Sequence, residues 1–280
     1  WYKTIRFFLD VLEPIAGRYF TFHSRPIAAS HILVDSEDTD HNYSEYAIIM
    51  QGPIITRNHF TLETLSLYKR YFPDISIILS TWEGEDRDSI LEARKIGIEV
   101  LLNKKPESSG PVSINLQLIS SKAGIKRASE FNKRYILKTR TDQRIYNYDS
   151  LIFLSNLLKD FPVTASGIRQ RGRLISTTSS KRKLYYFADM LIFGYPEDVL
   201  LYFSADLVPN GAVIALGDSQ VPFTTEQYLF TEFLKKAGYK FEYTALDSLR
   251  AQARHCLLTG TEVLDWYWFK YWRFLEYRVL

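Results

Sequence analysis

Cysteine is almost absent from this sequence, since Cys256 is the only one among 280 residues. A single cysteine excludes an intramolecular disulfide and every cysteine-rich zinc site, and it suits a reducing compartment. An excess of charge of one sign is missing too, because 35 Lys and Arg residues stand against 32 Asp and Glu residues. This balance argues against the basic surface of a nucleic-acid binder, so no nucleic-acid partner is expected.

Long apolar runs are also lacking. None approaches the roughly 20 residues that a membrane-spanning helix needs. The first residues show no cationic start, apolar stretch and cleavage site of a signal peptide. These features favour a cytoplasmic protein. The sequence begins with Trp1 instead of Met, and we expect it to continue upstream.

Glycine-rich phosphate-binding motifs are missing as well. The first apolar run, residues 47–50, leads into Gln51-Gly52-Pro53 and not into Gly-x-Gly-x-x-Gly, which disfavours a dinucleotide-binding loop. The patterns Gly-x-x-x-x-Gly-Lys-Ser/Thr, Gly-x-Ser-x-Gly and His-Glu-x-x-His do not occur. Their absence disfavours P-loop enzymes, α/β-hydrolases and metalloproteases of the His-Glu-x-x-His type.

What the sequence does contain is a regular alternation of apolar runs and helix-like segments. The apolar runs predict strands at 47–50, 75–79, 98–102 and 135–138. The segments with helical spacing are 57–71, 86–96, 113–131 and 150–161, and further helices begin near 196 and 225. This alternation predicts an α/β fold of the Rossmann type, a mostly parallel sheet flanked by helices.

The second half and the two ends of the chain are less regular. We predict strands at 163–167 and 239–244 and a basic, polar loop at 169–183. Residues 1–44 predict a helical extension, interrupted near Pro14 and Gly17, with an acidic loop at 35–40. The proposed domains are this extension, a catalytic domain at 45–250 and an aromatic helical extension at 251–280.

The aromatic extension contains Trp266 to Phe274, in which aromatic rings are mixed with Lys and Arg. That composition is typical of a helix in a membrane interface. The alternative is a helix packed on the domain, which the aromatic residues all around the helix favour. Peripheral contact with the inner face of a membrane stays open.

Asp142 is the central candidate for chemistry. It follows the strand at 135–138, and open α/β sheets bind ligands beyond the carboxyl ends of their strands. A carboxylate there suits a divalent cation, Mn²⁺ or Mg²⁺, with a diphosphate supplying further oxygen ligands. Lys138, Arg140 and Arg144 flank it and carry charge suited to phosphate. The alternative is that Asp142 caps a turn and that the cations are simply solvated.

Two further acids are candidates for catalysis. Asp189 lies in an apolar run, where an unpaired carboxylate is costly, so it must have a partner or face a cleft. Glu226 lies in the first turn of a predicted helix, where capping of the helix N-terminus is the alternative. Either acid is a candidate general base, a group that takes the proton of a substrate hydroxyl.

Seven short motifs follow one another along residues 45–235. They are Gln51-Gly52-Pro53, Thr61-Leu62-Glu63-Thr64, Ile78-Leu79-Ser80-Thr81-Trp82, Asn115-x-Gln117 with Gly124, Leu137-Lys138-Thr139-Arg140-Thr141-Asp142-Gln143, Asp189-Met190-x-x-Phe193-Gly194 and Thr225-Glu226-Gln227-Tyr228-Leu229. In this order they resemble the WavE family of lipopolysaccharide-synthesis proteins, which are regarded as GT-A-type glycosyltransferases.

The resemblance implies a nucleotide-sugar donor and a glycan or lipid-linked glycan acceptor. The residues that it implies at the nucleotide sugar are Gln51, Gly52, Pro53, Thr56, Trp82, Asn115, Gln117, Lys138, Arg140 and Asp142. Trp82 is expected near the base or ribose, although a packing role is equally open.

The same resemblance places Asp142 where GT-A enzymes carry a metal-binding Asp-x-Asp motif. Arg140 occupies the position of the first Asp, so the divalent cation is either held by one carboxylate or replaced by Lys and Arg. The late position of His255 is that of an extra metal ligand in some GT-A enzymes.

The function that these inferences predict is glycosyl transfer onto a bacterial surface glycan, lipopolysaccharide or capsule. A sugar nucleotidyltransferase is one alternative, although such enzymes usually carry a glycine-rich basic loop after the first strand. The other alternative is a non-catalytic glycan-binding or assembly domain that has kept the fold.

Overall fold

The computed structural model describes residues 2–17, 25–29, 32, 42–164, 168–180 and 182–271. The strands are β1 (Tyr46–Gln51), β2 (Ser76–Trp82), β3 (Glu99–Asn103), β4 (Tyr135–Arg140), β5 (Gln143–Ile145), β6 (Leu174–Ser176), β7 (Ile192–Gly194), β8 (Ile214–Leu216), β9 (Ser219–Val221), β10 (Cys256–Leu258) and β11 (Trp266–Trp268). Seven of them form one sheet in the order β10-β6-β7-β4-β1-β2-β3. All run parallel except β7, which is antiparallel to both neighbours. The predicted α/β fold with a mostly parallel sheet is confirmed.

The described chain has eight α-helices, and all but the first cover the two faces of this sheet. They are α1 (Tyr2–Ala16), α2 (Phe60–Tyr71), α3 (Arg87–Lys95), α4 (Ile114–Ser129), α5 (Ser150–Asp160), α6 (Pro196–Tyr202), α7 (Thr225–Ala237) and α8 (Ala245–His255). The apolar faces of α2, α3 and α5 pack on one side, and those of α4, α6, α7 and α8 pack on the other. The helices predicted from 57 to 161 and those beginning near 196 and 225 are confirmed.

Strand β1 illustrates why the sheet is buried on both faces. Tyr46, Ile48 and Met50 point into the cluster beneath α2 and α5, whereas Ala47 and Ile49 point into the cluster beneath α4. Because successive side chains of a strand alternate between faces, an unbroken apolar run supplies both layers. This is the pattern expected of a central strand between two helical layers.

Gly124 brings α4 close to the sheet. A Cβ at this position would overlap the side chain of Ile49 on β1 and crowd Ser80 on β2. Glycine therefore lets the helix backbone approach the two strands directly. The tight contact fixes the direction of α4, whose first turns carry Asn115 and Gln117.

The prediction of a C-terminal helix from Trp266 was wrong. Residues 266–268 form β11, which pairs antiparallel with β5, and a 3-10 turn follows at Phe269–Tyr271. Trp266 and Trp268 are buried and belong to an apolar cluster, so packing accounts for them and membrane contact does not. The rest of that predicted helix, 272–274, lies outside the described residues.

Other sequence-based predictions were corrected in detail. Residues 239–244 form no strand, because Tyr239 bonds to Asp247 and Thr244 caps α8. The predicted loop at 169–183 contains β6 in its described part, and no strand is found at 163–164. The acidic loop at 35–40 and residues 165–167 lie outside the described residues.

Helix α1 lies near the start of the described chain and helix α8 lies near its end. Helix α1 runs through Pro14 to Ala16, so the predicted interruption at Pro14 was wrong. The predicted domain boundary at 250 falls within α8, which leads directly into β10 of the central sheet. In the part of the chain that the structure describes, no helix is long and apolar enough to cross a membrane.

Candidate active site at the carboxyl edge of the sheet

The carboxyl ends of the parallel strands gather the candidate residues at one edge. Strands β1, β2 and β4 end there with Gln51, Trp82 and Arg140. Strand β7 runs the opposite way, and its first residue pairs with Lys138, so the chain just before β7 returns to the same edge. Asp189 lies in that approach to β7. The sheet topology thus places the acids predicted from separate motifs beside one another.

Asp142 is held in an ion pair with Arg140. Arg140 Nε donates to Asp142 Oδ1 at 2.8 Å, and Arg140 Nη2 donates to Asp142 Oδ2 at 3.0 Å. The ring of Trp268 lies 5.6 Å from the guanidinium carbon of Arg140. The side chain of Asp142 is 9% exposed and that of Arg140 is 27% exposed. Asp142 is therefore neither a turn cap in solvent nor an open metal ligand, but one half of a bidentate pair at the strand end.

The predicted metal ligands do not come together. Among the residues that the structure describes, no group of three or more His, Cys, Asp and Glu side chains is arranged to hold a metal ion. Both carboxylate oxygens of Asp142 already accept hydrogen bonds from Arg140. The side chains as arranged do not fit a protein-held Mn²⁺ or Mg²⁺, which prefer several oxygen ligands.

His255 lies at the opposite edge of the sheet from Asp142. It comes just before β10, which runs parallel to β4, and so stands at the amino end of its strand. The register of the strands and the rise per residue together give a separation of roughly 20 Å between His255 and Asp142 along the strand direction. The Nδ1 atom of His255 lies 2.6 Å from Gln170 Oε1, and burial lowers the pKa of His255 to about 4. The expectation that His255 shares a metal ion with Asp142 was wrong, because late chain position says nothing about which edge a residue occupies.

Lys138 is a fully buried cation at the strand end. Its Nζ donates to the carbonyl oxygen of Asp189 at 2.8 Å and lies 4.8 Å from the ring centre of Phe203. Burial lowers the pKa of Lys138 to about 7, although the negative charge of Asp189 opposes the shift. Lys138 thus fixes the backbone that carries Asp189.

The two predicted catalytic acids share one environment. Gln117 Nε2 donates to Asp189 Oδ2 at 2.7 Å, and the hydroxyl of Tyr186 donates to Glu226 Oε1 at 3.0 Å. Burial raises the pKa of Glu226, and the charge of Asp189 raises it further, whereas Tyr186 and Lys183 lower it. A carboxylate with a raised pKa is a stronger base than an exposed glutamate, which suits it to accept a proton from a hydroxyl. The requirement that Asp189 have a partner is met by Gln117.

The loop after β1 is hydrogen-bonded to Thr141, the neighbour of Asp142. Thr141 donates its N–H to Gln51 O at 3.1 Å and its hydroxyl to Pro53 O at 2.6 Å. The hydroxyl of Thr61 in turn donates to Thr141 O at 3.0 Å. Gly52 has φ +122°, and a Cβ there would lie 2.9 Å from Thr141 Oγ1. The motif Gln51-Gly52-Pro53 therefore serves close packing of two strand-end loops.

Gln51 and Trp82 line this edge from the inside. Both are buried, and Gln51 Oε1 accepts a hydrogen bond from Ser120 of α4 at 2.8 Å. Trp82 is only 3% exposed, which suits the packing role that was left open for it. Thr56, in contrast, is exposed at the start of the short turn before α2. Contact of these residues with a nucleotide stays a prediction.

Asn115 and Arg144 have structural partners that the sequence did not reveal. Asn115 Nδ2 donates to the carbonyl oxygens of Ser108 and Val208, and its Oδ1 accepts from Val208 N–H. Arg144 is 1% exposed, donates to Thr64 Oγ1 and to main-chain oxygens, and lies over the ring of Phe60. Asn115 joins two loops, and its contact with a nucleotide sugar stays a prediction. Arg144 is buried and joins β5 to α2, so in this arrangement it presents no group to a phosphate.

Two residues of the site were missed by sequence reasoning. Tyr186 contacts Glu226 from a separate loop, and no local pattern links residues so far apart in the chain. Trp268 reaches Arg140 because β11 pairs with β5. The alternation of aromatic residues in Trp266-Tyr267-Trp268 was the available signal for a strand, and it was interpreted as a helix.

The comparisons with known proteins add a family. Residues 46–260 match the family model described as WavE lipopolysaccharide synthesis. No curated protein matches the chain in sequence. Among solved structures, a 4-diphosphocytidyl-2C-methyl-D-erythritol synthase from Anaerococcus prevotii is 12% identical, with 75% of this chain and 96% of that chain covered and a TM-score of 0.41. A Bacillus anthracis protein assigned as a glucose-1-phosphate thymidylyltransferase, solved with sucrose, is 9% identical, with 77% and 97% covered and a TM-score of 0.33. These structural likenesses are too distant to support an inference about activity.

Proposed function

The chain belongs to the WavE lipopolysaccharide-synthesis family, and from that premise we propose that it is a glycosyltransferase which moves a sugar from a nucleotide-sugar donor to a surface-glycan acceptor. One observation carries the proposal. Asp189 and Glu226 lie close enough for the charge of one to raise the pKa of the other, at the carboxyl edge that also carries Lys138 and Arg140. Acids and cations at one strand edge are what transfer from a diphosphate to a hydroxyl requires.

Arg140 supports the donor side of this proposal. A departing nucleoside diphosphate gains negative charge, and a guanidinium presents parallel N–H groups that match phosphate oxygens. Arg140 lies at the end of β4 and retains exposed surface there. The end of β1 and the loop after it, residues 51–56, border the same edge and are the proposed neighbours of the nucleotide.

Glu226 supports the acceptor side. In the proposed reaction its carboxylate takes the proton of the acceptor hydroxyl as the acceptor oxygen bonds to the anomeric carbon. The bond between that carbon and the phosphate oxygen breaks, and its electron pair leaves with the nucleoside diphosphate. The raised pKa of Glu226 makes it a stronger base than an exposed glutamate. Asp189, which is hydrogen-bonded to Gln117 and Lys138, is the proposed contact of the donor sugar or the acceptor.

A panel of nucleotides tests the proposal. UDP, GDP, ADP, dTDP and the corresponding nucleotide sugars are titrated into the protein, and binding is followed by thermal shift and calorimetry. We expect at least one nucleoside diphosphate to raise the melting temperature and its sugar conjugate to be turned over with a glycan acceptor. Glu226→Gln should keep the binding and lose the transfer. Glu232→Gln is the matched control, because Glu232 lies on the same helix and pairs with Lys235 at the surface.

The same panel separates the competing activities. Release of pyrophosphate from a nucleoside triphosphate and a sugar phosphate would identify a nucleotidyltransferase and contradict glycosyl transfer. Glycan affinity with no affinity for any nucleotide would identify a binding domain instead.

A further inference from the structure

We infer that the Arg140 guanidinium, and not a divalent metal ion, binds the donor's diphosphate at this site, and that Asp142 positions that guanidinium. The inference rests on the proposed function, because it concerns the charge of the same donor. Its basis is the bidentate contact between the two side chains at the end of β4.

The carboxylate of Asp142 is already neutralised. Each of its oxygens accepts a hydrogen bond from Arg140, and hydrogen bonds between charged groups are among the strongest in proteins. A cation at this position would have to displace a guanidinium that has the same charge sign and better geometry. Within the described ranges no set of three acidic, histidine or cysteine side chains exists to compensate for that loss.

The guanidinium is held from two directions. Asp142 contacts it along the plane of the guanidinium fork, and the ring of Trp268 lies 5.6 Å from its central carbon. The N–H of Phe269 donates to Asp142 O at 2.8 Å, which ties the Asp142 turn to the end of β11. Because its partners restrict the side chain before any ligand arrives, Arg140 loses less conformational freedom when it binds an anion.

Lys138 does not reach a ligand. It is completely buried, and its Nζ is bonded to the carbonyl oxygen of Asp189. It therefore presents no donor to a diphosphate. Arg140, which keeps 27% of its side chain exposed, is the cation of β4 that reaches solvent.

The two ways of holding a diphosphate predict opposite effects for two substitutions. If Arg140 binds the phosphates, Arg140→Gln removes the binding group, whereas Asp142→Asn removes only a negative charge and leaves the cation. If Asp142 holds a metal ion, Asp142→Asn removes the ligand, whereas Arg140→Gln frees it. The results expected for the two variants if Arg140 binds the diphosphate are therefore the reverse of those expected if a metal ion does.

The experiment measures binding of inorganic pyrophosphate and of UDP, GDP, ADP and dTDP by calorimetry, once with EDTA and once with Mg²⁺. We expect binding in EDTA, a loss of about 10- to 100-fold in Arg140→Gln, and a change of less than about fivefold in Asp142→Asn. Arg140→Lys keeps the charge without the fork and should fall between them. Arg171→Gln is the control, since Arg171 is an exposed arginine that pairs with Glu197 at the surface.

Turnover then tests the positioning role of Asp142. We expect Asp142→Asn to lower kcat by a larger factor than it raises KM, because Arg140 stays present but is less well oriented. Circular dichroism and melting curves of each variant show whether it is folded.

Binding that requires Mg²⁺, disappears in Asp142→Asn and persists in Arg140→Gln would overturn the inference and leave the proposed function intact. Failure of pyrophosphate and of every nucleotide to bind the wild type, with or without Mg²⁺, would overturn both.

Discussion

The two edges of the central sheet both contain buried ionisable groups, but they use them differently. At the carboxyl edge, Glu226 and Asp189 have side-chain partners, a tyrosine hydroxyl and a glutamine amide. At the amino edge, Asp198 accepts the backbone N–H groups of Arg171 and Gly172 at 3.0 Å and 2.8 Å. Burial raises the pKa of Asp198 to about 6, so a shifted pKa alone does not identify the active edge.

The two edges differ in the groups to which their carboxylates are hydrogen-bonded. Asp198 joins the start of α6 to the loop before β6, and removing it would leave two main-chain donors without their partner. Glu226 and Asp189 are hydrogen-bonded to side chains, those of Tyr186 and Gln117. We therefore expect substitutions at the amino edge to change stability and substitutions at the carboxyl edge to change turnover.

The largest expected effect on turnover is that of Glu226→Gln. Loss of the general base should lower kcat by about 10²- to 10⁴-fold, because the acceptor hydroxyl must then lose its proton to water. The melting temperature should change little, since glutamine keeps the shape and can still accept from Tyr186. Transfer assays of this variant and of Glu232→Gln measure the effect, and equal kcat values in the two would contradict the assignment.

Asp198→Ala should have the largest effect on stability. The buried N–H of Gly172 and the partly buried N–H of Arg171 lose their acceptor, at a cost of about 1–3 kcal/mol in the free energy of unfolding. Because the folded-state pKa of about 6 exceeds the ordinary value of 3.8, the Asp198 contribution to stability falls as pH rises between those values. Urea denaturation at pH 4, 5 and 6 gives the free energies of unfolding of the wild type and of Asp198→Ala. The difference between the two should become smaller as pH rises. We expect kcat and KM of this variant to stay near those of the wild type. A large loss of kcat would contradict the expectation that the amino edge affects stability and not turnover.

Tyr186→Phe should shift the pH profile of transfer. The hydrogen bond from Tyr186 lowers the pKa of Glu226, so its removal raises that pKa further and moves the acidic limb of kcat to higher pH. Tyr228→Phe is the control, because Tyr228 bonds to the carbonyl oxygen of Asp206 instead. The pKa of Glu226, measured by carbon NMR of labelled glutamate, checks the shift independently of activity. An unchanged acidic limb and an unchanged Glu226 pKa would refute the role of Tyr186.

His255→Asn should have the smallest functional effect. The nitrogen of asparagine can replace Nδ1 toward Gln170, and we expect diphosphate binding to be unchanged with EDTA or Mg²⁺. The folded-state pKa of about 4 lies below the ordinary 6.5, so the His255 contribution to stability is lost as pH falls through that range, opposite to Asp198. Calorimetry and acid denaturation measure the two effects. Metal-dependent binding that this variant abolishes would return His255 to the active site.

The strand-end rule explains why much of the site could be predicted from sequence. Apolar runs located β1, β2 and β4, and parallel strands must end at a common edge, so Asp142 and Gln51 were placed correctly relative to one another. The antiparallel β7 brought Asp189 back to that edge, and this followed from no local signal. The position of His255 was misjudged because the direction in which β10 enters the sheet cannot be inferred from sequence spacing.

Side-chain partners were the least predictable part of the site. Lys138, Arg140 and Arg144 lie within seven residues, yet one is buried against Asp189, one pairs with Asp142 and one joins β5 to α2. Burial and neighbours decide between these roles, and both depend on pairings such as β5 with β11. The sequence predicted where the charge lies but not which cation meets a ligand.

Hydrogen–deuterium exchange with and without the tightest-binding nucleoside diphosphate tests the central claim most directly. The account predicts slower amide exchange in the strand-end segments 51–56, 82–85 and 140–142. It predicts no change at 170–172 or at 255–258 on the opposite edge. Protection confined to the amino edge, or none at saturating nucleotide, would contradict the placement of the active site.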